Sequence, residues 1–284
     1  MRGVKGRFGS GILLVAVVAA FAAFTPACAP APPPPPPAPA PAPVWPAGPV
    51  VDLSHAFDEQ TIFWPTADRF HLTKVSDGIT PGGYYYAANT FSTAEHGGTH
   101  LDAPVHFSKD ANAVDAIPVD QLIGPAFVVD VTAKCDANPD YRVSVDDLQA
   151  FEKAHGPIPD RAILLLRTGL SSRWPDAAKY LGTAERGDKA VAKLHFPGLH
   201  PDAASWLVAN RHIAAVGLDT ASIDYGQSTG FESHRTLYAK NIPAFENLAS
   251  LDRLPATGAY VVALPMKIRG GSGAPLRAIA LLPR

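Results

Sequence analysis

The sequence predicts a mixed α/β domain, and two observations support that prediction. Helix-forming patterns at residues 144–155 and 201–210 alternate along the chain with short apolar runs. The runs are partly β-branched and bounded by helix breakers, which predicts buried strands at residues 126–131, 162–166, 213–218 and 259–264. Such alternation is typical of α/β architecture, and it leaves the order of the strands open.

The first 28 residues predict a signal peptide. Arg2, Lys5 and Arg7 precede an uncharged apolar run at residues 11–24, and the run ends in small residues. That run is shorter than the roughly 20 apolar residues that a membrane-spanning helix needs. We therefore expect the protein to be exported.

Two cleavage sites compete at the end of this leader. The tetrapeptide Thr25-Pro26-Ala27-Cys28 resembles a bacterial lipobox, which implies a membrane tether through lipidated Cys28. Cleavage after Ala29, in an Ala-x-Ala site, is the alternative. Both alternatives predict an exported bacterial protein, either periplasmic or anchored to the membrane as a lipoprotein.

Residues 29–49 are predicted to be a linker. They are rich in Pro and Ala, a composition that favours extended polyproline II and cannot bury a core. No second linker, charge block or sequence repeat follows. We therefore predict a single folded domain over residues 50–284.

Both helix patterns of this domain carry recognisable end signals. Ser144 is a preferred N-cap residue, Asp147 favours the first helical turn, and Gly156 follows the last helical residue. Pro201 suits the first position of the second helix because its fixed backbone angle is already helical. These signals predict where each helix begins, and Gly156 predicts where the first one ends.

Composition and charge exclude some classes of function. With 47% hydrophobic and 18% charged residues, the chain is typical of globular proteins. Removal of the three basic leader residues changes the net charge from −2 to −5, so we expect no nucleic-acid partner. Cys135 is the only cysteine after residue 28, so no disulfide can form within the domain.

A dense group of histidines and carboxylates occupies residues 95–107, whose sequence is EHGGTHLDAPVHF. The two glycines and Pro104 oppose a helix in this segment. An extended chain would instead place four side chains on one face: His96, His100, Asp102 and His106. A straight strand would separate the first and third of them by about 20 Å. The chain must therefore bend, and Gly97-Gly98 permits the bend.

These residue types predict a metal site. A lone buried histidine is most often structural, but three imidazoles and a carboxylate within eleven residues have few structural explanations. Neutral imidazole nitrogens and a carboxylate oxygen around one point suit Zn²⁺ or Mn²⁺.

The segment from His96 to Phe107 resembles the signature of the cyclase family, His-x-Gly-Thr-His-x-Asp-x-Pro-x-His-Phe, at every fixed position. That family contains bacterial kynurenine formamidases and isatin hydrolases. The resemblance implies metal binding by His96, His100 and Asp102, and general acid–base catalysis by His106. It also implies a swivelling β/β/α fold and a homo-oligomer, either a dimer or a tetramer.

Further similarity to this family lies at residues 216–224, 232–238 and 242–248. In members with two metal ions, a histidine and a glutamate twelve residues later complete the second site. The resemblance therefore implies that His234 and Glu246 bind metal, with Asp102 bridging, and that the cofactor is one or two ions of Zn or Mn. Asp219, Asp224 and Glu232 are fallback oxygen ligands that are left unassigned, and Asp219 is expected to cap a turn.

The expected chemistry is hydrolysis, because a bound metal ion lowers the pKa of water and polarises a carbonyl group. The chain lacks the His-Glu-x-x-His motif of zinc proteases and a phosphate-binding loop. We predict a metal-dependent amide hydrolase, foremost an arylformamidase that converts an N-formylkynurenine-type formamide to an aryl amine and formate.

Two alternatives remain open at this point. One is a hydrolase of isatin or of another cyclic imide or lactam. The other is a surface lipoprotein that binds metal or ligand without catalysis. For the enzyme, the expected partner is a small aromatic amide, and candidate pocket walls are Phe63, Trp64 and the run from Tyr84 to Tyr86.

Overall fold

The computed structural model of the chain describes residues 48–284. The predicted signal peptide, Cys28 and all but the last two residues of the predicted linker lie outside this range. Twelve strands occur within it: β1 (Val50–Asp52), β2 (His71–Ile79), β3 (Tyr85–Ser92), β4 (His100–Asp102), β5 (Ile123–Asp130), β6 (Arg142–Val143), β7 (Ile163–Arg167), β8 (Gly198–Leu199), β9 (Ala215–Leu218), β10 (Ala244–Glu246), β11 (Ala259–Pro265) and β12 (Gly273–Leu281).

Six α-helices accompany these strands in the described range: α1 (Thr132–Ala137), α2 (Val145–His155), α3 (Ala177–Leu181), α4 (Asp188–Val191), α5 (Pro201–Asn210) and α6 (Glu232–Tyr238). Short 3₁₀ turns add Pro104–His106, Val114–Ala116, Val119–Gln121, Leu170–Arg173 and Leu251–Arg253. None of the helices within residues 48–284 is long and apolar enough to cross a membrane.

Eight strands form one sheet that closes on itself. Their order is β1-β12-β11-β5-β7-β9-β10-β4, and β4 also pairs with β12, which closes the sheet into a barrel. The run β5-β7-β9-β10 is parallel, whereas β4, β11, β12 and β1 join it through antiparallel pairs. The predicted single-domain mixed α/β fold is confirmed.

The four strands expected from the sequence are β5, β7, β9 and β11, and their ends differ from the prediction by at most three residues. The strand β7 shows why its sequence is a continuous apolar run. Ile163 and Leu165 face the inside of the barrel, while Leu164 and Leu166 face the helices on the outside. A parallel strand covered on both faces has no polar side, which explains the absence of alternation.

The two predicted helices, α2 and α5, are confirmed with their start signals. The Ser144 side chain accepts a hydrogen bond from the Asp147 backbone N–H at 3.3 Å, and the Asp147 carboxylate accepts one from the Ser144 N–H at 2.8 Å. This reciprocal capping box satisfies two N–H groups that the helix itself leaves free. Pro201 occupies the first turn of α5, as expected.

The sequence patterns did not reveal β2 and β3, which form a hairpin and, among residues 48–284, pair only with each other. We refer to residues 71–92 as the arm. Nearly every residue of the arm is exposed on both faces, so its sequence lacks the alternation of a half-buried strand. The expectation that the run from Tyr84 to Tyr86 could line the substrate pocket is wrong, because all three side chains lie exposed on the arm, at 51% to 63%.

Candidate metal centre and active site

The site begins with the register between two very short strands. In β4 and β10, His100 lies directly opposite Glu246, and Leu101 lies opposite Phe245. Side chains alternate along a strand, so Leu101 and Phe245 enter the barrel core while His100, Asp102 and Glu246 face away from it. The pairing of the two strands thereby brings His100 and Asp102 next to Glu246, which lies far away in the sequence.

A bend at Gly97-Gly98 brings His96 to the same place. Gly98 has a backbone φ of +57°, a conformation that side-chain-bearing residues rarely adopt. A Cβ atom on Gly97 would lie 2.0 Å from the ring of Phe63, so only glycine allows this close approach. After the bend, His96 Nδ1 lies 2.6 Å from Asp102 Oδ1. The bend expected from the sequence therefore occurs at the glycines.

The side chains of α6 complete the cluster from the opposite side. His234 Nε2 lies 3.4 Å from Asp102 Oδ2 and 3.4 Å from Glu246 Oε1. His100 Nε2 lies 3.1 Å from Asp102 Oδ1 and 3.5 Å from Glu246 Oε2. Each carboxylate thus turns one oxygen towards His100 and the other towards His234. Asp102 and Glu246 therefore both lie between the imidazoles of His100 and His234.

The donor atoms fit a divalent metal ion. His100, Asp102 and Glu246 form one buried set whose donor atoms all lie within 4.8 Å of one another. His96, Asp102 and His106 form a second set with the same spacing, in which only Asp102 is fully buried. Nitrogen and carboxylate donors at this spacing match the ligands of first-row metals. The structure therefore brings all six sequence-predicted site residues together. A ring nitrogen of His106 lies within 4.8 Å of the donor atoms of His96 and Asp102.

Each of the three expected histidine ligands has its other ring nitrogen bound elsewhere. His100 Nδ1 lies 3.0 Å from the Gly98 carbonyl oxygen, and His234 Nδ1 lies 2.5 Å from the Asp224 carboxylate. Both acceptors require an N–H, which leaves the Nε2 lone pairs free to face the cluster.

In His96 the two ring nitrogens have exchanged roles, because Nδ1 faces the cluster and Nε2 is bound elsewhere. Its Nε2 lies 2.9 Å from Ser272 Oγ, and that hydroxyl donates to the Glu95 carboxylate at 2.6 Å. Because Ser272 uses its proton on Glu95, its oxygen accepts the Nε2–H of His96. Nδ1 is then the ring nitrogen of His96 that faces Asp102.

The buried charges of the cluster create a site for a cation. Burial would raise the pKa of Asp102, but the surrounding histidines outweigh this and hold it well below its usual value. Burial and the charge of Asp102 raise the pKa of Glu246. Burial would lower the pKa of His234, yet its bonds to Asp102, Asp224 and Glu246 raise it well above normal. Positive charge is therefore strongly favoured between the carboxylates.

His106 lies at the edge of the cluster, at the end of the turn Pro104–His106. Its ring stacks on that of His96 with 3.9 Å between centroids. Burial lowers the pKa of His106 to about 4, and the neighbouring histidines act in the same direction against the charge of Asp102. His106 is therefore neutral at pH 7, and one of its ring nitrogens has a lone pair that can accept a proton.

A cavity of about 290 Å³ opens onto these side chains. All six site residues, among them His96, His106 and Glu246, form the polar part of its lining. Its walls are mainly apolar and aromatic: Ile62, Phe63, Trp64, Ala67, Phe107 and Phe231. The candidates Phe63 and Trp64 from the sequence therefore do line the pocket.

Sequence reasoning missed several supporting residues. Asp224 was left unassigned, yet it accepts hydrogen bonds from the His234 ring and backbone N–H. Tyr238 donates to Asp102 Oδ2 at 2.9 Å from one turn further along α6. The spacing of His234 and Tyr238, four residues apart, is the one signal that would have placed the tyrosine on the same helix face.

Asp219 does cap a turn, but a turn in another segment. Its carboxylate accepts hydrogen bonds from the backbone N–H groups of Thr168 and Gly169 and from the Thr168 hydroxyl. Those residues follow β7, which lies beside β9 in the sheet. Asp219 therefore joins the ends of two neighbouring strands beneath the site.

A comparison with known families agrees with this geometry. The Cyclase family model matches residues 51–225. The chain belongs to the cyclase family. The predicted resemblance and cyclase-like fold are thus confirmed, and the match includes the segment that carries His96, His100, Asp102 and His106.

Individual relatives in this family are similar over most of the chain. The isatin hydrolase of Roseibium aggregatum is 34% identical over 247 residues, which cover 84% of this chain and 89% of that protein. The kynurenine formamidase of Salinibacter ruber is 28% identical over 236 residues, covering 81% and 96%. The crystal structure of an isatin hydrolase bound to the product analogue thioisatinate has a TM-score of 0.76 at 32% identity, covering 83% of this chain and 92% of that one.

These comparisons confirm the predicted reaction class, a metal-dependent hydrolase of non-peptide C–N bonds. They favour the enzyme over the non-catalytic alternative. The metal ligands themselves and the role of His106 stay predictions, now supported by the distances within the cluster.

Proposed function

We propose that this cyclase-family hydrolase opens the ring amide of isatin or of a closely similar cyclic aryl amide. The observation that carries the proposal is the cavity, in which aromatic walls lie directly above the donor cluster. A flat aryl ring stacks favourably on such walls, and its amide carbonyl would then reach the donors. Similarity to isatin hydrolases in sequence and fold supports this choice.

The aromatic walls are held in a defined arrangement. The rings of Phe107 and Phe231 lie 5.0 Å apart, and Trp64 lies 6.4 Å from Phe231. Phe231 has a backbone φ of +48°, which is a strained conformation for a bulky residue. Strain of this kind persists where the surrounding structure fixes a residue, and here it directs an aromatic side chain to the mouth of the site.

For the cofactor we propose Zn or Mn, held by His96, His100 and Asp102. His234 and Glu246 would complete a second position that shares Asp102, so one or two ions can be held. When bound, the metal lowers the pKa of a water molecule and polarises the substrate carbonyl. Metal analysis of the purified protein by mass spectrometry, with His100→Ala as the comparison, identifies the ion and its stoichiometry.

The residues of the chain account for the remaining steps. Water adds to the amide carbonyl carbon, and its proton passes to a ring nitrogen of His106. As the C–N bond breaks, His106 returns that proton to the departing nitrogen, because an aryl amine leaves better when it is protonated. The product of a cyclic amide carries the new amine and the new carboxylate in one molecule.

A second candidate is the arylformamidase, since kynurenine formamidases cover a similar share of the chain. Both substrates should be assayed with the purified, metal-loaded protein, with His100→Ala as the inactive control. A higher kcat/KM for isatin supports the proposal, and a higher value for N-formylkynurenine supports the second candidate. If the protein hydrolyses neither compound, both proposed substrates are wrong.

We also propose that the protein is exported and tethered through lipidated Cys28, on the strength of the leader and lipobox pattern. In a bacterial host, labelled palmitate should enter the wild-type protein and not a Cys28→Ala variant. The variant should also move from the membrane fraction to the soluble periplasmic fraction. Equal labelling of both proteins, or of neither, would contradict the tether.

A further inference from the structure

Asn247 lines the cavity directly after Glu246, the last residue of β10, and its side chain is only 2% exposed. Its Nδ2 donates to the Gly98 carbonyl oxygen at 2.7 Å, and its Oδ1 accepts from the Tyr180 hydroxyl at 2.9 Å. Both ends of the amide are therefore bound within the chain. This indicates a role in holding the site in place rather than in contacting a substrate.

The direction of this amide follows from its partners. The carbonyl oxygen of Gly98 can only accept, so the Nδ2 end of Asn247 must face it and the Oδ1 end must face Tyr180. The Tyr180 hydroxyl lies 2.9 Å from Asn247 Oδ1 and 3.1 Å from the Asp219 carbonyl oxygen, and both of these atoms accept its proton. Burial raises the pKa of Tyr180 well above normal, so the phenol keeps that proton at neutral pH.

The carbonyl group that Asn247 holds is the one that orients His100. The Gly98 oxygen accepts from His100 Nδ1 at 3.0 Å as well as from Asn247 Nδ2. A carbonyl oxygen has two lone pairs, so these two donors use its full capacity. The carbonyl cannot turn without losing the bond to Asn247. While it stays in place, His100 Nε2 keeps its direction towards the two carboxylates of the cluster.

The backbone of Asn247 holds the next residue of the same segment. Its φ is +52°, in the left-handed region where Asn occurs more often than most residues with side chains. Its carbonyl oxygen accepts from the Thr99 hydroxyl at 2.7 Å, and that hydroxyl accepts from the His55 N–H at 2.8 Å. Asn247 therefore binds two consecutive residues, Gly98 and Thr99, between the bend and β4.

We propose that Asn247 is a positioning residue of the metal site, which holds the Gly98 carbonyl and thereby the direction of His100 Nε2. This role in metal affinity depends on the proposed binding of metal by His100. Because Asn247 follows Glu246 in the chain, one short segment presents a carboxylate donor and also fixes the imidazole that lies opposite to it.

Hydrogen exchange of the metal-free protein, measured by mass spectrometry, tests the positioning without metal or substrate. An Asn247→Gly variant removes the amide but still permits the left-handed backbone. Peptides that cover residues 96–102 should exchange about 5-fold faster than in the wild type, the factor that corresponds to one hydrogen bond of ordinary net strength. Peptides from β7 follow the stability of the whole domain and should change less.

The matched control is Asn241→Gly. Asn241 also has a positive φ, of +55°, and its amide oxygen accepts from the Asn112 backbone N–H, away from the cluster. This variant makes the same chemical change at the same kind of backbone position. It should leave the exchange of residues 96–102 as it is in the wild type.

Titration with Co²⁺, followed by the visible absorption of the bound ion, tests the effect on the metal site. Asn247→Gly should bind Co²⁺ about 10–100-fold more weakly than the wild type and Asn241→Gly. The absorption per bound ion should also change, because one ligand has turned. A role in stability alone would lower the amount of bound ion and leave its spectrum as it is.

Asn247→Asp provides a second variant of nearly the same size. It keeps the oxygen that accepts from Tyr180 but has no N–H for Gly98. Its added negative charge favours a cation, so weaker binding of Co²⁺ by this variant would identify the lost N–H as the cause.

The proposal is overturned if the exchange of residues 96–102 in Asn247→Gly is unchanged or rises no more than that of β7. It is also overturned if both Asn247 variants bind Co²⁺ with the affinity and spectrum of the wild type, or if Asn241→Gly shows the same losses. A wild-type protein that binds no Co²⁺ would instead contradict the proposed metal binding. The exchange data would then still decide whether Asn247 holds the Gly98 carbonyl.

Discussion

At the scale of single residues, the orientation of each expected histidine ligand depends on a hydrogen bond from its other ring nitrogen to a group outside the cluster. Ser272 is the clearest case, because its hydroxyl connects His96 to Glu95 and thereby selects which nitrogen of His96 faces Asp102. Groups behind a metal ligand commonly contribute 10–100-fold in metal affinity.

The Ser272→Ala variant should therefore bind metal about 10–100-fold more weakly, while its fold is retained. Titration calorimetry, or competition with a chelator of known affinity, measures the change. Ser272→Thr restores the hydroxyl and should restore most of the affinity. Ser205→Ala, at an exposed serine on α5, is the control. Equal affinities of wild type and Ser272→Ala would show that the hydroxyl does not orient His96.

His106 occupies a position that would suit either a proton carrier or a ligand. We expect His106→Ala to lose about 10²–10⁴-fold in kcat while keeping the metal content of the wild type, because general acid–base catalysis contributes this much. Turnover and metal content must be measured on the same sample. His212→Ala, at an exposed histidine, should change neither. Loss of a metal ion from His106→Ala would identify His106 as a ligand.

The sequence could identify the six cluster residues because four of them belong to one family signature and the other two to further segments that are similar to the family. Their partners could not be found in the same way. Asp224, Ser272 and Tyr238 meet the cluster only through tertiary contacts, and a single serine or tyrosine in a sequence carries no sign of such a contact.

At the scale of elements, the bend before β4 determines whether His96 and His100 can meet. A Cβ on Gly98 would lie 2.4 Å from the Phe57 ring, in addition to the cost of the left-handed backbone. Gly98→Ala should therefore lower the free energy of unfolding by about 1–3 kcal/mol and reduce metal occupancy.

Denaturant unfolding and metal analysis check this prediction. Gly187→Ala is the matched control, because Gly187 also has a positive φ, of +86°, but open space where the Cβ would lie. It should show the backbone cost of about 1 kcal/mol without loss of metal. If the two variants lose equal stability and both keep the metal, the clash with Phe57 has no effect on the site.

The start of α2 should make stability depend on pH. Burial would raise the pKa of Asp147, but hydrogen bonds from Lys134, Ser144 and Tyr141 hold it below its ordinary value of 3.8. The charged form thus stabilises the folded state. Its contribution is fully present above the unfolded pKa and is lost as the pH falls through the lower folded pKa.

The difference in unfolding free energy between wild type and Asp147→Asn should therefore be constant near neutral pH and shrink below about pH 4. Metal release in acid affects both proteins alike and cancels in the difference. Asp146→Asn, an exposed neighbour in the same helical turn, should differ little from wild type at any pH. A difference for Asp147→Asn that does not change with pH would contradict the role of its charge.

Elements with a buried face could be predicted, and the arm could not. The strands β5, β7, β9 and β11 are apolar because the barrel covers them. The arm has no covered face within the described chain, so its pattern is that of a loop rich in tyrosine. Its pairing depends on the turn and on contacts that single-sequence periodicity does not contain.

At the scale of the whole molecule, metal binding should be visible in thermal stability. An ion that binds the folded state alone, at about 1,000 times its Kd, stabilises that state by about 4 kcal/mol. For a domain of this size, removal of the metal should lower the Tm by roughly 8–16 °C.

Calorimetry with and without a chelator measures this shift. His100→Ala should show almost no shift, because the site is broken in both conditions. His212→Ala should behave as the wild type does. A chelator effect that is equal in wild type and His100→Ala would show that the stabilising metal lies elsewhere.

Closure of the barrel was also beyond the sequence. The strand β4 has three residues, too few for any periodic pattern, yet it joins β10 to β12. Short strands of this kind form because their neighbours fix them, which is a long-range effect. The order of the sheet therefore became known only with the structure.

The alternation along β4 has an evolutionary consequence. Leu101 belongs to the barrel core, whereas His100 and Asp102 belong to the cavity, so natural selection can act on the two sets separately. A lineage that loses a cavity-facing side chain keeps every core contact of this strand. The scaffold can thus persist after its chemistry is lost.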